Sequence, residues 1–450
     1  MVKDLTTGNP AKVIFIYSLP VILGNVFQQI YNFVDNVIVG RYVSYEALAG
    51  VGVTNGMTFL VLGFIVGVTS GFGVKTAHYV GAKDVRNIKR SVGTSLIICV
   101  FMAALLTVLA VTLCKPLLKL MGVSSEIFGY ASDYVSVVFA GLTAQTAYNM
   151  IACVLRALGD SKTPLYFLIV SSILNVGLDL LFVCGFGWSV KGAAFATVLA
   201  QLTSAMLCFV YAYRKYHILR LSKEDFKTSW AFIWEHLAIG LPMAFQFSIT
   251  AVGIVFLNAA LASFPAPYIA GFSAANKIQN VGALVPISFG VAMANFAGQN
   301  FGAGRIDRLR QGVKATIVMS LGVCVVVSSI LFLCHNQLTS LFLDPSLTDT
   351  ETLYYASGLY QKWSAALFPF LFLIFIFRNA LQGVGKTFWP LMAGVGELLF
   401  RAILSFVLPA KMGYIGVVVV DGFTWVVACL ILAVSFYFII LKPDRQQLLN

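Results

Sequence analysis

Charge is scarce in this chain. Only 11% of its 450 residues are Asp, Glu, Lys or Arg, while 59% are hydrophobic; an ordinary soluble domain carries about a quarter charged residues. That deficit excludes a water-soluble globule of this length. The apolar runs are long and continuous, without the strict alternation of a membrane β-barrel. An all-α integral membrane protein remains, because helices satisfy their own backbone hydrogen bonds in lipid. Cysteine pairing is lacking too. The 8 Cys are scattered through apolar segments, with no CxxC and no Cys/His zinc spacing, so they read as small packing residues and no metal centre is expected from them. The 4 His form no cluster, which removes the convergent groups a membrane-embedded enzyme would need. No polar stretch is long enough for an ATPase domain. GVGKT at Gly383–Thr387 ends like a phosphate loop, but Ala380 stands where the pattern needs Gly, and no strand precedes it. No cofactor is expected, and any work must draw on an ion gradient. No cleavable leader is expected either, because MVKDLTTGNPAK runs directly into an apolar segment.

What is present is a series of segments long enough to span a bilayer, for which about 20 mostly apolar residues suffice. Twelve are expected, near 12–40, 46–72, 88–114, 126–154, 163–186, 190–213, 231–261, 267–297, 311–334, 352–378, 387–409 and 414–441, with Pro116, Gly122, Pro265, Pro345, Pro409 and Gly413 among the breaks. An even number places both termini on one side. The net charge of +12 is spread unevenly over the connections. Lys3, Lys12, Lys83, Arg86, Lys89, Arg156, Lys162, Arg214, Lys215, Arg220, Arg305, Arg308, Arg378, Lys386, Lys442 and Arg445 fall on the side of the termini; the other side holds Arg41, Lys115, Lys119, Lys191 and Lys411. The asymmetry predicts cytoplasmic termini in a cell membrane. It also accounts for the basic balance, so no nucleic-acid partner is expected.

The halves repeat. YVGAKDVRNIKR (Tyr79–Arg90) matches NFGAGRIDRLRQ (Asn300–Gln311), RALGDSKTP (Arg156–Pro164) matches RNALQGVGKTFWP (Arg378–Pro390), and SLP (Ser18–Pro20) matches GLP (Gly240–Pro242), at offsets near 221–224. Two six-helix lobes are expected, residues 1–213 and 230–450, joined by a polar linker at 214–229. Tandem repeats of equal topology are related by an axis along the membrane normal, with substrate expected between them.

Acids inside such segments are functional-site hypotheses, because a charge in the bilayer is costly. Asp35 lies within FQQIYNFVDNVIVGR (Phe27–Arg41), roughly 9 Å from its outer end at 1.5 Å per residue. Asp179 and Thr197 fall at roughly 10 Å on their own segments. Asn175 precedes Asp179 by four residues and Tyr31 precedes Asp35 by four, so each pair shares a helix face. Two carboxylates at one depth crowd each other, and one is expected to hold a proton near neutral pH. The same oxygens suit a sodium ion. In the second half, Arg401 and Asp421 share a depth, and Lys277 and Glu397 fall nearer the middle. Two ion pairs are expected, Arg401–Asp421 and Lys277–Glu397; alternatively Lys277 or Glu397 faces the cleft.

The stretches LTTGNPAK (Leu5–Lys12), SLPVILGNVFQQIYNFVDNVIVGR (Ser18–Arg41), ALAGVG (Ala47–Gly52) and AGQNFGAGRIDRLR (Ala297–Arg310) make the chain resemble a multidrug and toxic compound extrusion (MATE) transporter over essentially its whole length. The resemblance is to the branch whose coupling site lies in the N-terminal lobe. It implies that Asp35, Asn175, Asp179 and Thr197, with Tyr31 nearby, bind the coupling proton or sodium ion, and that Pro20 permits helix one to bend. A branch with sodium-coupling acids on helices seven and ten fits less well, since Glu235 and Glu351 stand only at the starts of those segments. The implied function is antiport by alternating access, exporting small cationic amphipathic compounds, with a monomer expected in the bilayer. A lipid-linked oligosaccharide flippase or a metabolite exporter shares the architecture. The flippase would want a strongly cationic cavity, for which only Lys277, Lys362 and Arg401 are candidates.

Overall fold

The computed structural model describes residues 4–342 and 350–442. Lys3, Pro345 and Arg445, used above, lie outside them. Among the described residues there is no strand. The helices are α1 (Pro10–Tyr42), α2 (Tyr45–Gly81), α3 (Val85–Leu120), α4 (Ser125–Ala140), α5 (Leu142–Ala157), α6 (Lys162–Asp179) and α7 (Ser189–Lys215), then α8 (Trp230–Leu261), α9 (Ala266–Gly302), α10 (Ile306–Leu333), α11 (His335–Ser340), α12 (Thr350–Gly383), α13 (Phe388–Met412) and α14 (Tyr414–Phe436). Eleven helical segments are long and apolar enough to cross a membrane, and twelve when the bent pair α4–α5 counts as one span. The chain is thus an all-α integral membrane protein.

The helices run past the apolar cores read from sequence. α2 continues to Gly81 and α12 to Gly383, so Arg378 is a residue of α12 rather than of a loop. The fourth span breaks at Gly141, where α4 and α5 meet at 49°. A Cβ on Gly141 would lie 2.2 Å from Val198 Cγ2 on α7, so the break leaves room for the Val198 side chain against the Gly141 backbone, as only glycine permits. Six of the 8 Cys are buried as packing residues, whereas Cys184 and Cys334 are exposed.

The chain forms two compact units. The first contains Leu19–Ser248; the second contains Thr7–Ser18 and the described residues from Ile249 onward. This differs from a division at the 214–229 linker, because the first half of α8 packs with the first unit. The packing explains why. Cβ atoms added at Gly67 and Gly71 of α2 would lie 2.5 and 2.4 Å from the Cα atoms of Ala244 and Gly240 of α8. Small residues four apart on both helices let the backbones touch, the usual basis of helix association in lipid. At the start of α8, buried His236 uses Nδ1 toward the Phe232 carbonyl (2.8 Å) and Nε2 toward the Ser91 hydroxyl of α3 (2.8 Å). The carbonyl can only accept, so Nδ1 carries the proton and Nε2 accepts from Ser91. Ser91 in turn meets Thr76 of α2 at 3.0 Å, and Lys75 pairs with Glu235 at 2.8 Å. In the second unit, Arg308 of α10 donates to the carbonyls of Thr7 (2.6 Å) and Gly8, which ties the segment before α1 to that unit.

Candidate functional site

The first unit gathers the five polar residues singled out in its sequence. Asp35 comes from α1, Asn175 and Asp179 from α6, Thr197 from α7 and Tyr31 from one turn before Asp35. α6 widens into a π-helical turn, Leu180–Gly185, directly after Asp179; such turns interrupt the regular hydrogen-bond ladder and are frequent at functional sites. Asp179 is 0% exposed, Asn175 1% and Asp35 7%, so an ionised carboxylate here has little access to water and needs protein partners.

The carboxyl groups of Asp35 and Asp179 are close enough to act directly on each other. Two ionised carboxylates are acceptors only and repel each other, so their closeness favours a state in which one of them is protonated. Their Oδ1 atoms face no donor among the described residues. With its amide nitrogen turned toward the acid, Asn175 donates to Asp179 Oδ2 at 3.0 Å, and its oxygen accepts from the Thr197 backbone N–H at 3.2 Å. Tyr31 donates to Thr197 Oγ1 at 3.2 Å, and Thr197 Oγ1 donates to the Ala193 carbonyl at 3.0 Å. All five residues therefore belong to one connected set. A sixth member was not foreseen. Tyr134 of α4 packs into an apolar cluster with Ile38 and Val39 of α1 and Val190 and Ala193 of α7, beside the acid pair. A tyrosine in an apolar aromatic-rich segment gives no signal of its own, and only the spacing of α4 against α1 reveals it.

The second unit holds a separate ionic cluster. Arg401 Nη1 lies 3.0 Å from Asp421 Oδ1, at an angle that makes the contact Coulombic rather than a linear hydrogen bond. The expected Arg401–Asp421 pair is thus formed. Arg401 Nη2 donates to Glu397 Oε1 at 2.9 Å and to Thr424 Oγ1 at 3.4 Å. Tyr360 of α12 donates to Asp421 Oδ2 at 2.8 Å, and Arg378 Nη2 lies 3.7 Å from Glu397 Oε2. The Lys277–Glu397 pair does not form. Lys277 is exposed on α9, and Glu397 is held between two arginines. Depth along a helix fixes height but not direction, and Glu397 points toward its own i+4 neighbour.

The MatE family model matches residues 20–181 and again residues 242–407, two copies that start at Pro20 and Pro242 of the repeated SLP and GLP. A probable multidrug resistance protein, YoeA of Bacillus subtilis (strain 168), is 26% identical over 447 residues, covering 97% of this chain and 95% of its own. Another, YpnP of the same organism, is 25% identical over 386 residues, covering 85% and 84%. Among solved structures, an outward-facing multidrug resistance MATE family transporter of the MOP superfamily is 21% identical, covers 98% of each chain and superposes with a TM-score of 0.91. The family match covers most of the chain and both of its repeats, and the chain belongs to the MatE family of membrane transporters.

Proposed function

We propose that this protein is a secondary active efflux transporter that exports cationic amphipathic compounds in exchange for protons, with Asp35 and Asp179 as the coupling acids. The observation that carries this reading is the burial of those two carboxyls close to each other, inside a set completed by Asn175, Thr197 and Tyr31. A site that holds one proton between two acids changes charge when that proton leaves, and a charge change inside the bilayer is energetically large. Protonation removes the negative charge that would balance a bound cation; deprotonation restores it. Pro20 lies two residues past the point at which α1 passes into the first unit. It removes a backbone donor there and so supplies a place for α1 to bend when the acids titrate. The charge asymmetry of the connections supports cytoplasmic termini and a cell-membrane location. A flippase for anionic lipid-linked sugars fits less well, because Arg401 is neutralised by Glu397 and Asp421.

The test is efflux from proteoliposomes under independently set pH and sodium gradients. Export should follow the pH gradient. Asp35→Asn should abolish it with unchanged expression, and normal export by that variant would sink the reading; export driven only by the sodium gradient would overturn the choice of ion.

A further inference from the structure

The first unit carries a second feature, remote in chemistry from the acid pair. A groove of about 340 Å³ lies between α3, α5 and α7, closed at one end by the turn that follows α7. Its lining is apolar, with Val92, Leu96, Met150, Phe209, Tyr213 and Leu219 among the walls. The lining residues of α7 run from Leu202 to Tyr213, about 16 Å of helix. Half the hydrocarbon core of a bilayer is about 15 Å thick, so the groove is one leaflet deep. Met206 and Phe209 are 53% and 50% exposed along it, so it is open on the side of the unit rather than sealed as a core cavity.

Its closed end is cationic. The Arg220 guanidinium lies 5.8 Å from the ring centre of the lining residue Tyr213, and its Nε donates to the Tyr213 carbonyl at 3.4 Å. Lys89, one turn before Val92, donates to the Arg220 carbonyl at 3.2 Å. Neither cation has a carboxylate within ion-pair distance among the described residues. The acids on adjoining segments are already engaged, Asp160 by Lys215 and Tyr216, Glu224 by Lys227, Asp225 by the Ser222 backbone N–H and hydroxyl, and Asp84 by Asn87. An apolar slot one leaflet deep, capped by two cations without a counter-charge, has the shape and charge of a single lipid.

We propose that this groove binds one anionic phospholipid of the leaflet nearest the basic loops, with an acyl chain between α3, α5 and α7 and the phosphate on Arg220 and Lys89. A zwitterionic lipid would fill the slot but carry its own cation to the same place. An apolar solute would fill it and leave both cations uncompensated. The site does not depend on which ion or substrate the acid pair serves.

Native mass spectrometry of the full-length protein, incubated in detergent with equimolar phosphatidylglycerol and phosphatidylcholine, tests it. Phosphatidylglycerol should be retained preferentially. Each basic residue near a membrane surface contributes about a factor of five to anionic lipid binding, so Arg220→Gln with Lys89→Gln should cut that retention roughly thirtyfold. Ala205→Trp, which fills the slot, should lower retention of both lipids. Equal retention of the two lipids, or retention unchanged in the double variant, overturns the proposal; so does displacement by millimolar inorganic phosphate, which would indicate a free anion. If the variants fail to fold, a phosphatidylglycerol with a photoreactive acyl chain settles the matter on the unaltered protein. Labelling should map to peptides containing Leu96, Met150 or Phe209 and be suppressed by excess phosphatidylglycerol, and labelling elsewhere overturns the site.

Discussion

Arg401→Gln probes the ionic cluster of the second unit most directly. Arg401 is 7% exposed and Asp421 5%, and their charged atoms are 3.0 Å apart. At an effective dielectric constant of about 20, that separation corresponds to an attraction of about 5.5 kcal/mol, from which the cost of burying both charges must be subtracted. Removing one partner of such a pair typically costs about 3–5 kcal/mol, because the other charge is left buried. The geometry makes the loss lopsided. Without Arg401, Glu397 still has Arg378 at 3.7 Å, whereas among the described residues Asp421 keeps only the Tyr360 hydroxyl at 2.8 Å. Arg401→Gln should therefore destabilise by about 3–5 kcal/mol, and adding Asp421→Asn should recover most of it. Asp421→Asn alone should cost about 1–3 kcal/mol, since Arg401 retains Glu397. Equilibrium unfolding in mixed SDS micelles, followed by tryptophan fluorescence, measures all three. An Arg401→Gln variant within about 0.5 kcal/mol of the parent, or a double variant no more stable than the single, would refute the assignment.

Further expectations concern packing and pH. Gly71→Ala places a Cβ 2.4 Å from the Gly240 backbone, so α2 and α8 must part, at a cost of about 1–3 kcal/mol; Gly52→Ala, in the same helix with nothing within 4 Å, should be neutral or stabilising by up to about 1 kcal/mol. Equal effects in the same unfolding assay would contradict the close approach. Burial pushes the carboxyl of Asp160, in the loop before α6, upward, but hydrogen bonds from Thr163 and Tyr216 and the charge of Lys215 outweigh burial and hold it below the usual range. A depressed folded-state value means that its stabilisation is present above about pH 4, the unfolded value, and fades as pH falls further. The stability gap between the parent and Asp160→Asn should be constant from pH 7 to 5 and close below 4, and a gap that widens toward acid would show the opposite sign. Tyr134→Phe should leave folding intact but change the pH at which export is half-maximal, read in proteoliposomes; an unchanged profile would remove Tyr134 from the acid pair's surroundings.

Much of this molecule was legible in its sequence, and the misses share a cause. Spans are visible because a bilayer demands about 20 apolar residues in a row, and the acids stand out because lipid disfavours them. Helical rise was enough to put Asp35, Asp179 and Thr197 at one level, and the five expected residues do meet. What linear spacing cannot supply is direction around a helix axis and the distance between axes. Lys277 and Glu397 share a depth yet face different ways. Arg378 looked like a loop residue because the chain turns polar after Phe377, but α12 continues and its partner Glu397 lies on α13. The break at Gly141 depends on Val198, 57 positions on, and the place of Tyr134 depends on how α4 sits beside α1.

The exchange of helix starts has a consequence for how this chain can be built. The first unit needs residues 230–248, and the second needs residues 7–18. A polypeptide ending at the 214–229 linker would lack the strip that fills the glycine face of α2, and the remaining piece would begin without the segment that Arg308 grips. Each fragment would lack a helical strip that packs within its own unit. The linker is a boundary of repetition in the sequence, between the two family-model matches. The physical seam runs instead through the interior of two continuous helices, where no loop exists to be cut.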